Sequence, residues 1–430
     1  MPATPTCRRA NIGALTVEEV FPLTDAQRFA LYAPRSGQLA PFSACEVDIP
    51  NSVSLDELVR RWNALAGTCD VLRLRFVDAD GEITAQRFDA EPPALRITRV
   101  RGRSASEQAR YAVGLRQERL LASSAPLDGV DAFVVVPDEG PRYFGMRLHA
   151  AAIDGWGGYL LNAAATSWLA GRPHDLGAVS WAQHLRGNSE ASAARSERNL
   201  DYWKQRLAPL QAAPVPRGPQ VRVVDGRFAT VRRSGSARAK IRAAAIRLAT
   251  SEAALLAALF VELLRAHFPY ERIVLNSVAA NRHRSKDRAV IGRLALLVHI
   301  PIDTSGRTAA DRVRGVAREL LGAYAHGEYP YDRLRSWLSD DDPIIDPHRI
   351  NFAFDFFPEG VVPINASDGA TPHVGRVEST LVTSRTVALR VAASDADLEC
   401  ELIWDPATAP WSTGDGHHAL VGLLRRALML

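Results

Sequence analysis

The chain has 430 residues, 47% of them hydrophobic and 23% charged, with a net charge of +4; this length exceeds one compact core and suits two lobes of about 200 residues each. The basic excess is spread out, and its densest stretches, 232–233 and 282–288, have no interleaved aromatic residues, which argues for solvated faces and against a nucleic-acid partner. Cys7, Cys45, Cys69 and Cys400 are scattered, without the spacing of a disulfide framework or a zinc site, and neither a secretory h-region nor a stretch of ~20 apolar residues is present, so a cytoplasmic protein with no membrane partner is expected.

Ser54 with Glu57 three residues on forms a capping box, and Leu58, Val59, Trp62 and Leu65 follow at helical spacing, so a helix starts there and ends near Gly67. VLRLRFV then alternates Leu72, Leu74 and Phe76 against Arg73 and Arg75, the period of a half-buried strand, and residues 78–81 turn it into EITAQRF as a hairpin. A helix is predicted over 104–121. DAFVVV reads as a strand that turns through 138–141 into the strand RYFGMRL. At the end of that strand stands RLHAAAIDGWGG, and the residues after it place Leu160, Leu161, Ala164, Ala165 and Trp168 on one helix face. The loop thus runs from strand into helix, where rigid neighbours fix the backbone for chemistry.

PLQAAPVPRGPQ, over 209–220, reads as an extended connector between lobes. Thr250 is expected to cap an apolar helix running to about Phe268, with RIVLNSVA following as a buried strand. This pair echoes the one after Ser54 and suits two lobes of similar build. A helix is predicted over 309–325, NFAFDFF and ALRVAASDADLECELIW read as strands, and the latter two are joined by a polar turn from Ser394 to Asp397. HHALVGLLRRAL is the last helix, and its His417 and His418 read as surface or cap histidines.

Taken in order, these segments resemble the condensation domains of nonribosomal peptide synthetases. FPLTDAQRFALY is similar to the family's S-x-A-Q-x-R segment through Asp25, Ala26, Gln27 and Arg28, and TCDVLRLRF to R-H-E-x-L-R-T-x-F through Leu72, Arg73 and Phe76. RLHAAAIDGWGG falls where the family carries H-H-x-x-x-D-G-W-S, SVAANR ends at Arg282 like the family's arginine segment, IGRLALLVHIPID resembles I-G-x-F-V-N-T, and HGEYPYDRL resembles H-Q-D-Y-P-F-E. The departures are Ala150 for the second histidine, Gly157 for the serine, and Leu296 and Leu297 for the Asn-Thr pair.

The resemblance implies an α/β (α+β) fold of two chloramphenicol acetyltransferase-like lobes in a V with a tunnel at their interface, the first over 15–180 and the second over 195–430. It implies an acyltransferase that takes its substrates on the phosphopantetheine arms of carrier proteins, binds no cofactor or metal of its own, and meets those carriers in trans as a free-standing monomer. A small-molecule acceptor also fits. Within the loop the implied catalytic set is His149, Asp154 and Gly155, supported by Arg282 and Trp156, while Ala150 is a vacated catalytic position.

Each assignment competes with a plainer one. His149 matches the family's inward histidine and reads as an orienting residue before a base, because neighbours at a strand end face opposite sides. Asp154 reads as one half of a buried pair with Arg282. Gly155 serves either an oxyanion through its amide or a tight corner that a Cβ would forbid. Trp156 reads as a core aromatic before a substrate platform. No spacing brings His299, His326 or His348 to the loop. Three functions remain open: acyl transfer resting on approximation, a docking module without turnover, and cyclisation or dehydration of a tethered substrate.

Overall fold

Alternating burial builds the first layer. β6 (Asp131–Pro137) sends Ala132, Val134 and Val136 into one core and Phe133 and Val135 into a smaller one with Val100, so this continuous apolar run is covered on both faces. With β2 (Phe42–Ile49), β5 (Leu95–Val100) and β7 (Arg142–His149) it forms a sheet of order β2–β7–β6–β5, in which β5 and β6 run parallel. β1 (Val17–Phe21) joins the hairpin of β3 (Leu74–Ala79) and β4 (Glu82–Phe88) in a second sheet of order β1–β4–β3. The computed structural model describes residues 17–32, 42–50, 52–79, 82–88, 93–100, 107, 111, 114–115, 127, 129–138, 142–169, 171–172, 180–186, 190–211, 226–268, 270, 272–303, 308–338, 351–357, 373–377, 386–394, 397–404, 409 and 411–429.

α1 (Asp25–Tyr32) precedes α2 (Leu55–Thr68), which forms where its cap places it: Ser54 Oγ accepts the Glu57 N–H at 3.1 Å, and Leu58, Trp62, Leu65 and Ala66 are buried. The Glu57 carboxylate holds Arg60 and Arg61 instead of reaching back to the cap. The strand expected from Val71 begins only at Leu74, after a 3₁₀ turn over Asp70–Arg73. Buried Asp70 accepts the Ala182 N–H at 3.2 Å and sits 3.5 Å from both Arg73 and Arg87, so tertiary contacts override the local alternation. α3 (Gly155–Leu169) leaves β7 and packs Leu161, Ala164 and Ala165 into the core of Trp62, Leu65 and Met146.

α4 (Trp181–Arg186) is followed by α5 (Glu190–Gln211), which delivers Leu200, Trp203 and Leu207 to a second core. It runs through Pro209 to Gln211, so the expected connector does not begin at 209, and its remainder, 212–220, lies outside the described residues. So does most of the helix predicted over 104–121, with parts of the turns at 78–81 and 138–141. β8 (Gly226–Ser234), β9 (Arg272–Ala279), β10 (Leu296–Asp303), β11 (Asn351–Phe357), β12 (His373–Val377), β13 (Thr386–Ala393) and β14 (Asp397–Trp404) form a sheet of order β10–β9–β11–β13–β14–β8–β12. α6 (Gly235–Arg247), α7 (Glu252–His267), α8 (Ala309–Ala325) and α10 (Thr413–Met429) pack in its core, and α9 (Tyr331–Leu338) meets α1 and α5. α7 is capped by Ser251, whose Oγ accepts the Ala254 N–H at 3.1 Å, and not by Thr250, whose hydroxyl is buried without a partner.

Two hydrophobic cores result, one drawn from Phe21 to Ala182 and the other from Leu200 to Ala427. One segment breaks that division. Val290 and Ile291, which follow β9, are members of the first core, and the next residue lies under Trp181. A Cβ at Gly292 would stand 2.2 Å from Trp181 Cδ1, and Trp181 is buried against Phe21 with ring centroids 5.3 Å apart. Gly292→Ala should therefore lower stability by about 1–3 kcal/mol, measured as a drop in the urea midpoint at unchanged slope.

Candidate active site

The HAAAIDG loop connects the end of β7 to the start of α3, and its fold is set by its own polar atoms. His149 is buried, and its Nδ1 accepts the Ala151 N–H at 3.0 Å while its carbonyl accepts the Ala152 N–H at 2.9 Å. Accepting at Nδ1 requires the neutral ring. Burial, with the Arg293 charge adding to it, pushes its pKa down to about 4. The structure thus places His149 in the service of the loop's own backbone.

Asp154 caps α3 and ties it to the distant segment. Its Oδ1 accepts the Gly157 N–H at 2.7 Å, its Oδ2 accepts the Leu294 and Ala295 N–H groups at 2.8 and 3.0 Å, and Arg282 Nη2 donates to both oxygens at 2.8 and 2.9 Å. The side chains of Arg282 and Asp154 are 4% and 3% exposed, deep enough that either charge alone would be costly. Arg282 is anchored in turn, donating from Nη1 to the Asp287 and Val290 carbonyls at 2.9 and 3.2 Å and from Nη2 to the Gly292 carbonyl at 3.1 Å.

The corner itself differs from expectation. Among the described residues the glycines at positive φ are Gly129 and Gly171, so Gly155 makes no left-handed turn. It opens α3, where a Cβ would lie at an ordinary 4.0 Å from Phe357 Cε1, and its N–H belongs to the first helical turn, which has no intrahelical acceptor. The glycine that sterics require is Gly157, whose Cβ would meet the Gly292 carbonyl oxygen at 2.7 Å and nitrogen at 2.9 Å. Trp156 is half-buried and belongs to neither large core; its Nε1 donates to the Arg288 carbonyl at 2.8 Å, so it spans to the segment that carries Arg282.

Ala150, half-buried, offers a carbonyl in place of a proton carrier. That carbonyl accepts Arg293 Nη1 at 2.9 Å, while Arg293 Nε donates to the Ala26 carbonyl at 2.7 Å. Arg293, Gly157 and Gly292 contribute to the site without having been expected there from sequence; Gly292 and Arg293 sit inside the I-G-x motif, but nothing local marks them as partners of residue 150. Two of the three other candidate histidines are engaged elsewhere. His299 pairs Nδ1 with Asn276 Oδ1 at 2.7 Å, His326 stacks on Tyr202 at 3.8 Å, and His348 lies outside the described residues.

The family model for the condensation domain matches residues 17–355. The chain belongs to the condensation-domain family. It is 26% identical over 342 residues to a linear gramicidin synthase of Brevibacillus parabrevis, covering 73% of this chain and 6% of that protein's length. Its structure is similar to the starter condensation domain of rhizomide synthetase RzmA in complex with C8-CoA, with a TM-score of 0.72, 16% identity, and 96% and 94% of the two chains covered. It is also similar to the structure described as the basis for condensation domain-mediated chain release from the enacyloxin polyketide synthase, with a TM-score of 0.67, 18% identity, and 98% and 85% covered. The mixed α/β architecture is thus the chloramphenicol acetyltransferase-like fold of condensation domains.

Asp154→Asn should cost about 3–5 kcal/mol, because it leaves Arg282 buried without a counter-charge; chemical denaturation measures this. Gly157→Ser should also destabilise, by about 1–3 kcal/mol, although serine stands there in the family pattern. Burial also holds His299 at about 4, like His149. As pH falls from 6.5 towards 4, the unfolded chain takes up protons at these positions that the folded chain refuses, so their contribution is full above about pH 6.5 and is lost on acidification. The urea midpoint should fall between about pH 7 and pH 5, and less steeply in His149→Gln.

Proposed function

We propose that this chain is a condensation-type acyltransferase that joins a carrier-bound acyl or aminoacyl thioester to an amine or alcohol. The observation that carries the reading is the intact clamp on Asp154: two backbone amides, the Gly157 amide and Arg282 hold the start of α3 in one place. The nucleophile attacks the thioester carbon, the carbonyl oxygen gains charge, and the carbon–sulfur bond breaks as the proton shed by the nucleophile passes to the departing sulfur, releasing the carrier thiol. The first-turn amides of α3, at Gly155 and Trp156, supply donors and the positive end of the helix for that oxyanion.

His149 orients the loop through Ala151, and Asp154 and Arg282 position it. Ala150 can neither accept nor deliver a proton, so approximation and charge stabilisation carry the reaction, at a cost of about 10²–10⁴ in rate against a relative with a general base. In this reading the two lobes run over 15–180 and 195–430, and the substrates arrive on carrier proteins. The alanine at 150 also supports a second reading, a docking module that binds a carrier without turnover.

Incubation with a loaded donor carrier and candidate acceptors, followed by intact-protein mass spectrometry, separates the two. Product is expected with the wild type, lost in Asp154→Ala and retained within about tenfold in His149→Gln. Ala150→His should raise the rate. Carrier binding with no product under any pairing, restored only by Ala150→His, would establish the docking module instead.

A further inference from the structure

A cavity of about 240 Å³ lies between α1, α4, the 281–296 segment and residues 328–329, lined among others by Asp25, Asn281, Arg293 and Glu328. Its wall mixes polar and apolar groups, and its six formal charges balance: Arg195, Arg284 and Arg293 against Asp25, Asp287 and Glu328. Four of these are matched within the protein. Arg284 Nε lies 2.9 Å from Asp287, and Arg195 Nη1 lies 3.6 Å from Glu328.

The remaining two are not matched to each other. Arg293 makes no ion pair among the described residues; its Nε and Nη1 are held by the Ala26 and Ala150 carbonyls, which leaves Nη2. The guanidinium lies 5.7 Å from the Phe29 ring, and burial pushes its pKa down to about 10 against the opposing pull of the Asp154 charge. Asp25 accepts the Tyr331 N–H at 3.1 Å and stands 3.4 Å from Arg28, yet burial still pushes its pKa up. Each charge is thus short of compensation. Asn281 is held at φ 53 by Nδ2 bonds to the Leu294 and Gly327 carbonyls, and its Oδ1 is buried without a donor.

A guanidinium with no carboxylate in contact and a carboxylate whose nearest cation stands 3.4 Å away line one small cavity. We propose that this cavity binds a free amino acid as its zwitterion, the carboxylate on Arg293 and the ammonium towards Asp25. A phosphate dianion fits less well, because three carboxylates line the same space. The ligand's role as an untethered acceptor rests on the acyltransferase reading above; its binding does not. Because Arg293 also holds the Ala150 carbonyl, an occupied cavity is coupled to the HAAAIDG loop through one side chain.

The test is binding without turnover. The proteinogenic amino acids are titrated into the full chain by calorimetry, and the tightest binder is compared with its C-terminal amide and its N-acetyl form. Each modified form should bind roughly tenfold weaker or worse, the loss of one charge-assisted hydrogen bond. Arg293→Met should abolish the discrimination against the amide, and Asp25→Asn that against the N-acetyl form. The wild-type comparison stands even if Arg293→Met fails to fold, and Arg293→Lys, which keeps the charge, should retain the preference. Equal binding of all three forms, no binding of any amino acid, or displacement of the amino acid by equimolar inorganic phosphate overturns the proposal. Binding without product would count against the acyltransferase reading alone, whereas product from carrier-bound acceptors with no amino-acid binding would count against the cavity alone.

Discussion

A carboxylate taken out of water must be given hydrogen bonds, and Asp154 receives them from four nitrogens that the chain brings together from far apart. The Gly157 amide comes from its own helix, while Leu294, Ala295 and Arg282 come from the segment around β9 and β10. Desolvation makes such a pair expensive to assemble and more expensive to half-break. It therefore acts less as a source of net stability than as a fixing point, because few arrangements of the two halves leave every partner satisfied. The steric requirements follow from it. Gly157 meets the Gly292 backbone and Gly292 meets Trp181 at distances no Cβ tolerates, because the backbones must approach closely enough for their amides to reach one carboxylate.

The same corner shows a loop whose shape is held by backbone groups. His149 is turned to its own backbone through Nδ1, and residue 150 is held by its carbonyl, which any amino acid possesses. The carbonyl contact at 150 therefore does not depend on which side chain stands there. What is left is a buried neighbourhood in which Arg282 and Arg293 lie near one carboxylate, and burial, with the Arg293 charge adding to it, keeps His149 neutral. Such a neighbourhood suits a reaction in which a carbonyl oxygen gains charge, and it needs no proton acceptor from the protein.

How much of this was legible varies with the range of the contact. The Ser54 cap, the strands DAFVVV and NFAFDFF and the helix over 309–325 are local patterns, and they form. Where local signals misled, a tertiary partner had outbid them: Asp70 reaching Ala182 delays a strand, and Pro209 is carried inside a helix whose apolar face has a core to enter. The pairing of Asp154 with Arg282 could be expected from the resemblance, since both residues stand in matching motifs. The Leu294 and Ala295 amides could not, because backbone groups carry no sequence signature.

The amino-acid sequence determined most of the elements, the family and the presence of alanine at residue 150, since each is a matter of residue type at fixed spacing along the chain. Only the tertiary structure decided which glycine is sterically required, that Trp156 crosses to Arg288 instead of entering a core, and that Arg293 grips the Ala150 carbonyl beside a cavity. Those contacts join residues more than a hundred positions apart. Their geometry depends on how two separately built cores meet, and no periodicity within either one records that.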